Sequence, residues 1–211
     1  MKNRKILLFG GTFDPIHIAH TIVSEASADK IGAEKVIFIP AKKSPLKSAL
    51  PQASDEDRLQ MIKLGIADNS KFEVSDYELR KTGANFTIET VRYYKKTLVS
   101  GAEIYWLMGA DNTAELANWY KAAELIDECN LAVMYRAGFD KPDFSGLKEK
   151  LGEKRVAKLK KNAVATPLID ISSTEIRRRI AAGEDVSTML APAVLDYIRN
   201  HNLYRAKGNK E

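Results

Sequence analysis

The chain has 211 residues, 45% hydrophobic and 29% charged, with 33 Lys and Arg against 28 Asp and Glu for a formal charge of +5. That balance excludes intrinsic disorder and collagen-like structure, and it suffices to bury a core without disulfides or a structural metal. The positive surplus is spread along the chain, with only short clusters such as Lys158-Leu159-Lys160-Lys161; it suits anionic small molecules and is too diffuse to require nucleic acid.

The lone Cys129 cannot form an internal disulfide or a zinc knuckle, which points to a buried thiol in a reducing cytoplasm. The apolar run Ile6-Leu7-Leu8-Phe9 stops at Gly10, too short for a signal-peptide core. No segment approaches the ~20 apolar residues of a membrane helix. A cytoplasmic protein with no membrane partner is expected.

In chain order, short apolar runs predict strands at 5–9, 35–39, 72–75, 104–108, 131–135 and 165–169. Helical periodicity predicts helices at 17–30, 55–67, 87–98 and 115–126. Alternation of this kind is the pattern of a parallel sheet with crossover helices. Ser54 with Asp57, and Ser172 with Glu175, have capping-box spacing and mark helix starts. From Ser172 to Tyr204 the chain reads as short helices broken at Gly183 and Pro192. The expected organisation is one domain over 1–211, with 172–204 a C-terminal helical subregion and 205–211 a flexible tail. The 40–54 segment, with Pro45, Pro51, Lys42, Lys43 and Lys47, is longer than its connection requires and reads as a lid or a solvated excursion.

Chemistry concentrates where the first strand runs into GGTFDPIHIAH, residues 10–20. Ligands of an open parallel sheet sit at the carboxyl ends of its strands. Gly10 and Gly11 let a backbone approach closely, and the helix after Pro15 offers unpaired N–H groups and a positive dipole end to an anion. His17 and His20, spaced i,i+3, share one face of the first turn and would donate to phosphate oxygens. Two isolated histidines would more simply be a cap and a surface residue; the surrounding Gly10, Gly11, Asp14 and Pro15 favour the functional reading. IDISSTEIRRR, residues 169–179, places Ser172, Ser173 and Thr174 at a second helix start with Arg177 a turn later, a second polyphosphate cradle or an ordinary Ser-capped basic helix. P-loop, G-x-G-x-x-G and G-x-S-x-G signatures are all missing.

Taken in order, residues 10–20, the 40–47 loop, NFTIET at 85–90, GADNTAELANW at 109–119 and ISSTEIR at 171–177 resemble the nucleotidyltransferase superfamily with a (T/H)xGH motif near its start and ISSTxxR near its end. Within it, the chain is most similar to the bacterial nicotinate-nucleotide adenylyltransferases. The resemblance implies a Rossmann-like α/β fold: an open, mainly parallel sheet with helices on both faces and a C-terminal helical segment. It implies transfer of AMP from ATP to nicotinate mononucleotide, with Mg2+ arriving on ATP and no resident metal.

Carried over by position, His17 and His20 would be catalytic. Gly10, Gly11, Thr12, Phe13, Lys47, Asp111, Ser173, Thr174 and Arg177 would bind ATP. Thr87 and Trp119 would hold the mononucleotide, Trp119 by stacking on the pyridine ring, while Trp106 reads as core. The chain departs from the family pattern at Ala19, Leu46, Phe86 and Glu89.

Three rivals remain. The acceptor could be nicotinamide mononucleotide or another phosphate, since sequence does not place the groups that face a carboxylate. His17, His20 and Asp14 could hold a metal in a hydrolase, although His201 lies in a distant helix. A nucleotide sensor needs no catalytic histidines. A homo-oligomer is left open.

Overall fold

The computed structural model describes residues 4–42, 50–98 and 101–206. Lys47, Leu46 and the segment 207–211 lie outside them. Six strands form one sheet: β1 (Lys5–Gly11), β2 (Lys35–Pro40), β3 (Phe72–Val74), β4 (Glu103–Gly109), β5 (Asn130–Arg136) and β6 (Ala163–Thr166). Their order is β3-β2-β1-β4-β5-β6 and every pair is parallel.

The central strands β1, β2, β4 and β5 are apolar on both sides over most of their length because each face of the sheet is covered. Leu7 and Phe9 of β1 join a core with Phe38, Tyr105 and Leu107 on one face. Ile6 and Leu8 join Ile37, Ile104 and Trp106 on the other. Right-handed crossovers explain the division, because connections that step outward in opposite directions from β1 must lay their helices on opposite faces. Helices α1 (Ile18–Ile31) and α2 (Asp55–Gly65) cover the first face together with α8 (Ser173–Ala181) and α9 (Pro192–Asn200). The second face is covered by α4 (Thr87–Thr97), α5 (Ala122–Glu128), α6 (Lys148–Leu151) and α7 (Glu153–Lys161). The one-turn α3 (Tyr77–Arg80) leads into α4.

Small residues let α1 lie close to the sheet: its buried positions are Ala19, Ser24, Ser27 and Ala28. The two serine hydroxyls donate to the Thr21 and Val23 carbonyls, so the burial leaves no unpaired hydroxyl hydrogen. Both expected caps form, with Ser54 Oγ accepting from Asp57 N–H at 3.1 Å and Ser172 Oγ from Glu175 N–H at 3.2 Å.

The structure differs from the sequence reading in three places. The helix expected at 115–126 is a 3-10 turn at Leu116–Asn118 and then α5, separated by Lys121 in the left-handed region at φ 54°. The last strand, expected at 165–169, begins two residues earlier and ends three earlier, at Ala163–Thr166. Helices α6 and α7 fill a stretch the periodicity left unassigned, because the charged α7 buries only Val156 and Leu159.

Gly10 follows the part of β1 paired with both β2 and β4 and stands directly over the Trp106 indole. A Cβ there would overlap the ring, and overpacking of this kind costs about 1–3 kcal/mol. Gly10→Ala should therefore lower urea-denaturation stability by about that amount, and the loss should shrink in a Trp106→Leu background; an equal loss in both backgrounds would exclude the indole as its cause.

Candidate active site

A cleft of about 1080 Å³ opens over the carboxyl ends of β1 and β4, where the strand order reverses. Gly10 to Asp14 form one wall. Gly11 is required there because the Phe13 ring folds back beneath it, 2.9 Å from where a Cβ would stand. Phe13 itself takes a left-handed φ of 48°, which turns its ring into the core against Phe9 and Phe38 and leaves its backbone at the cleft. Holding a non-glycine residue in that region costs of order 1–3 kcal/mol, offset here by burial of a whole aromatic ring.

His17 and His20 stack with ring centroids 3.7 Å apart at the start of α1. The His17 backbone N–H donates to His20 Nδ1 at 3.2 Å. An accepting Nδ1 leaves the ring proton of His20 on Nε2, and His20 lines the cleft. His17 is buried, and burial pushes its imidazole down to about 4, so the ring is neutral near pH 7. Its Nδ1 is buried with no hydrogen-bond partner among the described residues. Ala19, where the family motif has glycine, sits within α1 in ordinary helical geometry and its methyl is buried.

The opposite wall is the start of α8. Ser173, Thr174 and Arg177 line the cleft, and they are tied to the first loop across more than 150 residues of chain. Ser173 Oγ donates to the Pro15 carbonyl at 2.9 Å, and Arg177 Nη1 donates to the Asp14 carbonyl at 2.7 Å. The Arg177 Nε is buried and has no partner among the described residues. At the end of β4, Asp111 folds back over Gly109, where a Cβ would overlap its carboxylate. Asp111 is exposed at the cleft mouth.

The far end of the cleft is aromatic. Phe86 caps α4 and packs on Tyr120 at 4.5 Å, and Thr87 is the first residue of α4. Trp119 lines the same end, its Nε1 buried without a partner among the described residues. Below it Glu78 is buried, takes the Thr90 hydroxyl at 2.6 Å, and carries a carboxyl that burial pushes up. Its backbone carbonyl holds Asn85 Nδ2 at 3.2 Å, which braces the entry to α4.

Of the residues singled out from sequence, Gly10, Gly11, Thr12, Phe13, His20, Thr87, Asp111, Trp119, Ser173, Thr174 and Arg177 line this one cleft, and His17 stacks behind His20. Trp106 belongs to the core as expected and also shows an edge to the cleft. The sequence reading missed the supports. Arg58, fully buried in α2, donates Nη1 to the Thr12 carbonyl at 2.7 Å and Nη2 to Asp55 at 2.6 Å. Tyr204, far along the chain, donates to Asp14. An arginine amid the charged residues of an amphipathic helix gives no sign of burial; for Asp14, its place inside the first motif was a usable signal.

The cytidylyltransferase-like family model matches residues 8–179. A protein of Dehalococcoides mccartyi named as a probable nicotinate-nucleotide adenylyltransferase is 37% identical over 98% of this chain and 100% of its own length. One of the same name from Neisseria meningitidis is 38% identical over 95% of this chain and 98% of its own. Among solved structures, the nicotinic acid mononucleotide adenylyltransferase of Plasmodium falciparum complexed with NaAD superposes with a TM-score of 0.73 at 22% identity, covering 96% of this chain and 98% of that one. The loop-and-helix walls of the cleft fall within the matched span, and the chain belongs to the cytidylyltransferase-like family and, within it, to the nicotinate-nucleotide adenylyltransferases.

Proposed function

We infer that the chain transfers AMP from ATP to the phosphate of nicotinate mononucleotide, giving nicotinate adenine dinucleotide and pyrophosphate in NAD biosynthesis. The observation that carries this reading is the convergence of the Gly10–Asp14 loop, the His20 ring and the N-terminus of α8 on a single cleft whose far end is aromatic. The first feature suits a triphosphate and the second a flat pyridine ring.

A phosphate oxygen of the mononucleotide attacks the α-phosphorus of ATP, a new P–O bond forms, and the bond to pyrophosphate breaks with its electron pair leaving on pyrophosphate. The acceptor is itself the nucleophile, so the protein positions the reactants and stabilises charge. His20 Nε2–H serves the reacting phosphate, with neutral His17 backing the His20 ring. Ser173 and Thr174 hold the triphosphate through backbone N–H groups, since the Ser173 hydroxyl proton is engaged with Pro15. Arg177 neutralises its outer phosphates and Asp111 meets the adenosine side. Lys47 is assigned to the phosphates by family resemblance alone.

Mg2+ carried on the ATP substrate would supply charge neutralisation at the triphosphate, beside Arg177. The donor set suits a metal held chiefly by phosphate and water: of the carboxylates at the cleft, Asp14 and Glu78 are committed to protein donors, and Asp111 already takes the Asn112 amide on Oδ1. Trp119 stacks on the pyridine ring, and the start of α4 at Thr87 favours a carboxylate over a neutral amide by about 0.3–2 kcal/mol. Cytoplasmic residence agrees with the single buried thiol, and no helix among the described residues is long and apolar enough to cross a membrane.

Pyrophosphate release with ATP and Mg2+ tests the reading when nicotinate mononucleotide is run beside nicotinamide mononucleotide and phosphopantetheine. Preference for the nicotinate compound is expected, and activity confined to another acceptor would overturn the substrate. His20→Ala should lower kcat about 10²–10³-fold with little change in ATP affinity, and an unchanged kcat would remove His20 from catalysis. Trp119→Ala should raise KM for the mononucleotide and leave ATP binding near the parent value. His17 supplies a pH test. Its folded value of about 4 lies below the ordinary 6.5, so the unfolded chain takes up the proton first and stability falls as pH drops from 6.5 toward 4. The full difference is on the order of 3 kcal/mol, and in urea titrations across that window His17→Gln should remove this part of the slope.

A further inference from the structure

Asp14 is a junction that the reaction chemistry above leaves unused. Its carboxylate is 4% exposed and stands between the phosphate-binding loop and three distant parts of the chain. Oδ2 accepts the Gln52 N–H at 2.8 Å, and Oδ1 accepts the Ala53 N–H at 3.1 Å and the Tyr204 hydroxyl at 2.7 Å. Arg177 Nη1, bonded to the Asp14 carbonyl, lies 3.9 Å from Oδ2.

Tyr204 reaches this carboxylate through a backbone turn that also caps the end of α9. After α9 the chain turns back on itself, with the Leu203 N–H donating to the Ile198 carbonyl at 3.0 Å. Asn202 and Tyr204 both take left-handed φ values, 51° and 62°. Asparagine tolerates that region; tyrosine adopts it only where surrounding contacts hold it there. The ring is buried and packs in the core formed by α2, α8 and α9, and its hydroxyl also lies 4.0 Å from Met61 Sδ. A phenylalanine would fill the same space, so the hydroxyl is what the hydrogen bond to Asp14 requires.

We propose that Tyr204 is a positioning residue for adenylyl transfer: through its hydrogen bond to Asp14 it holds the loop before His17 and His20 in register with the chain at Gln52–Ala53 and with Arg177. This rests on the reaction assigned above. The hydroxyl touches no substrate, and its effect passes through the orientation of the 12–15 backbone that starts α1. The mononucleotide end of the cleft, at Trp119 and Thr87, is not part of the clamp.

Tyr204→Phe deletes the hydroxyl and keeps the ring. Expected are a fall in kcat of about tenfold, a KM for nicotinate mononucleotide within about twofold of the parent, and faster deuterium uptake at the Gln52 and Ala53 amides. Asp14→Asn and the double variant complete a cycle in which the second change adds little to the first. A kcat within about twofold of the parent, or losses that multiply independently, would overturn the proposal. If the parent releases no pyrophosphate with any acceptor, the reaction assignment falls. The clamp is then judged by amide exchange and ATP affinity, and Tyr204→Phe values equal to the parent's would overturn it.

Discussion

Parallel strands joined by right-handed crossovers must send their connections to opposite faces when they step outward from a central strand in opposite directions, and everything at this site follows from that parting. β1 is the strand from which the order runs both ways, so its exit loop emerges with α1 departing on one side and the elements after β4 on the other. The gap is held open by chain geometry and needs no specific side chain. Side chains decide what the gap can bind.

Their first contribution is to the backbone. A peptide loop offers an anion both donors and repelling carbonyls, and in this loop four of the carbonyls are occupied. Gly11 O accepts from Ala41 N–H, Thr12 O from Arg58, Asp14 O from Arg177 and Pro15 O from Ser173. Two of these donors are guanidinium groups, so positive charge stands behind the same peptide units. The arrangement converts a polar but unbiased loop into one whose field favours phosphate, and it does so with groups contributed by α2 and α8. A buried arginine such as Arg58 is then intelligible: within the protein it meets a carbonyl and a partly exposed carboxylate, and its charge reaches the cleft from below.

Much of this was legible in the order of residues. Six apolar runs marked the strands because a sheet covered on both faces admits few polar side chains, and Ser54 and Ser172 marked helix starts because their hydroxyls serve local backbone donors. The loop at 10–20 and the helix start at 172–177 were each marked by composition as candidate anion sites, and residues of both line the cleft. What joins them was illegible. Arg58, Asp14 and Tyr204 interact over separations of 46 to 190 residues, and no local pattern distinguishes a tyrosine that will bury its hydroxyl from one that will not. Glu78 was hidden for a related reason: its burial depends on α3 folding under α4, and a one-turn helix leaves no periodicity to read. The 115–126 segment misled because its apolar spacing is helical, while Lys121 adopts a left-handed conformation that interrupts the run.

The chain holds two tryptophans, and both have an edge on the same cleft: Trp106 under Gly10 and Trp119 at the aromatic end. Their surroundings differ, one indole packed in the core beside the glycine loop and the other with a buried ring nitrogen that has no partner among the described residues. All indole emission from this protein therefore originates at the cleft, with no distant tryptophan to dilute it. Intrinsic fluorescence is consequently a label-free optical gauge of the site, and the two positions separate by single replacement into one channel for each end of the cleft.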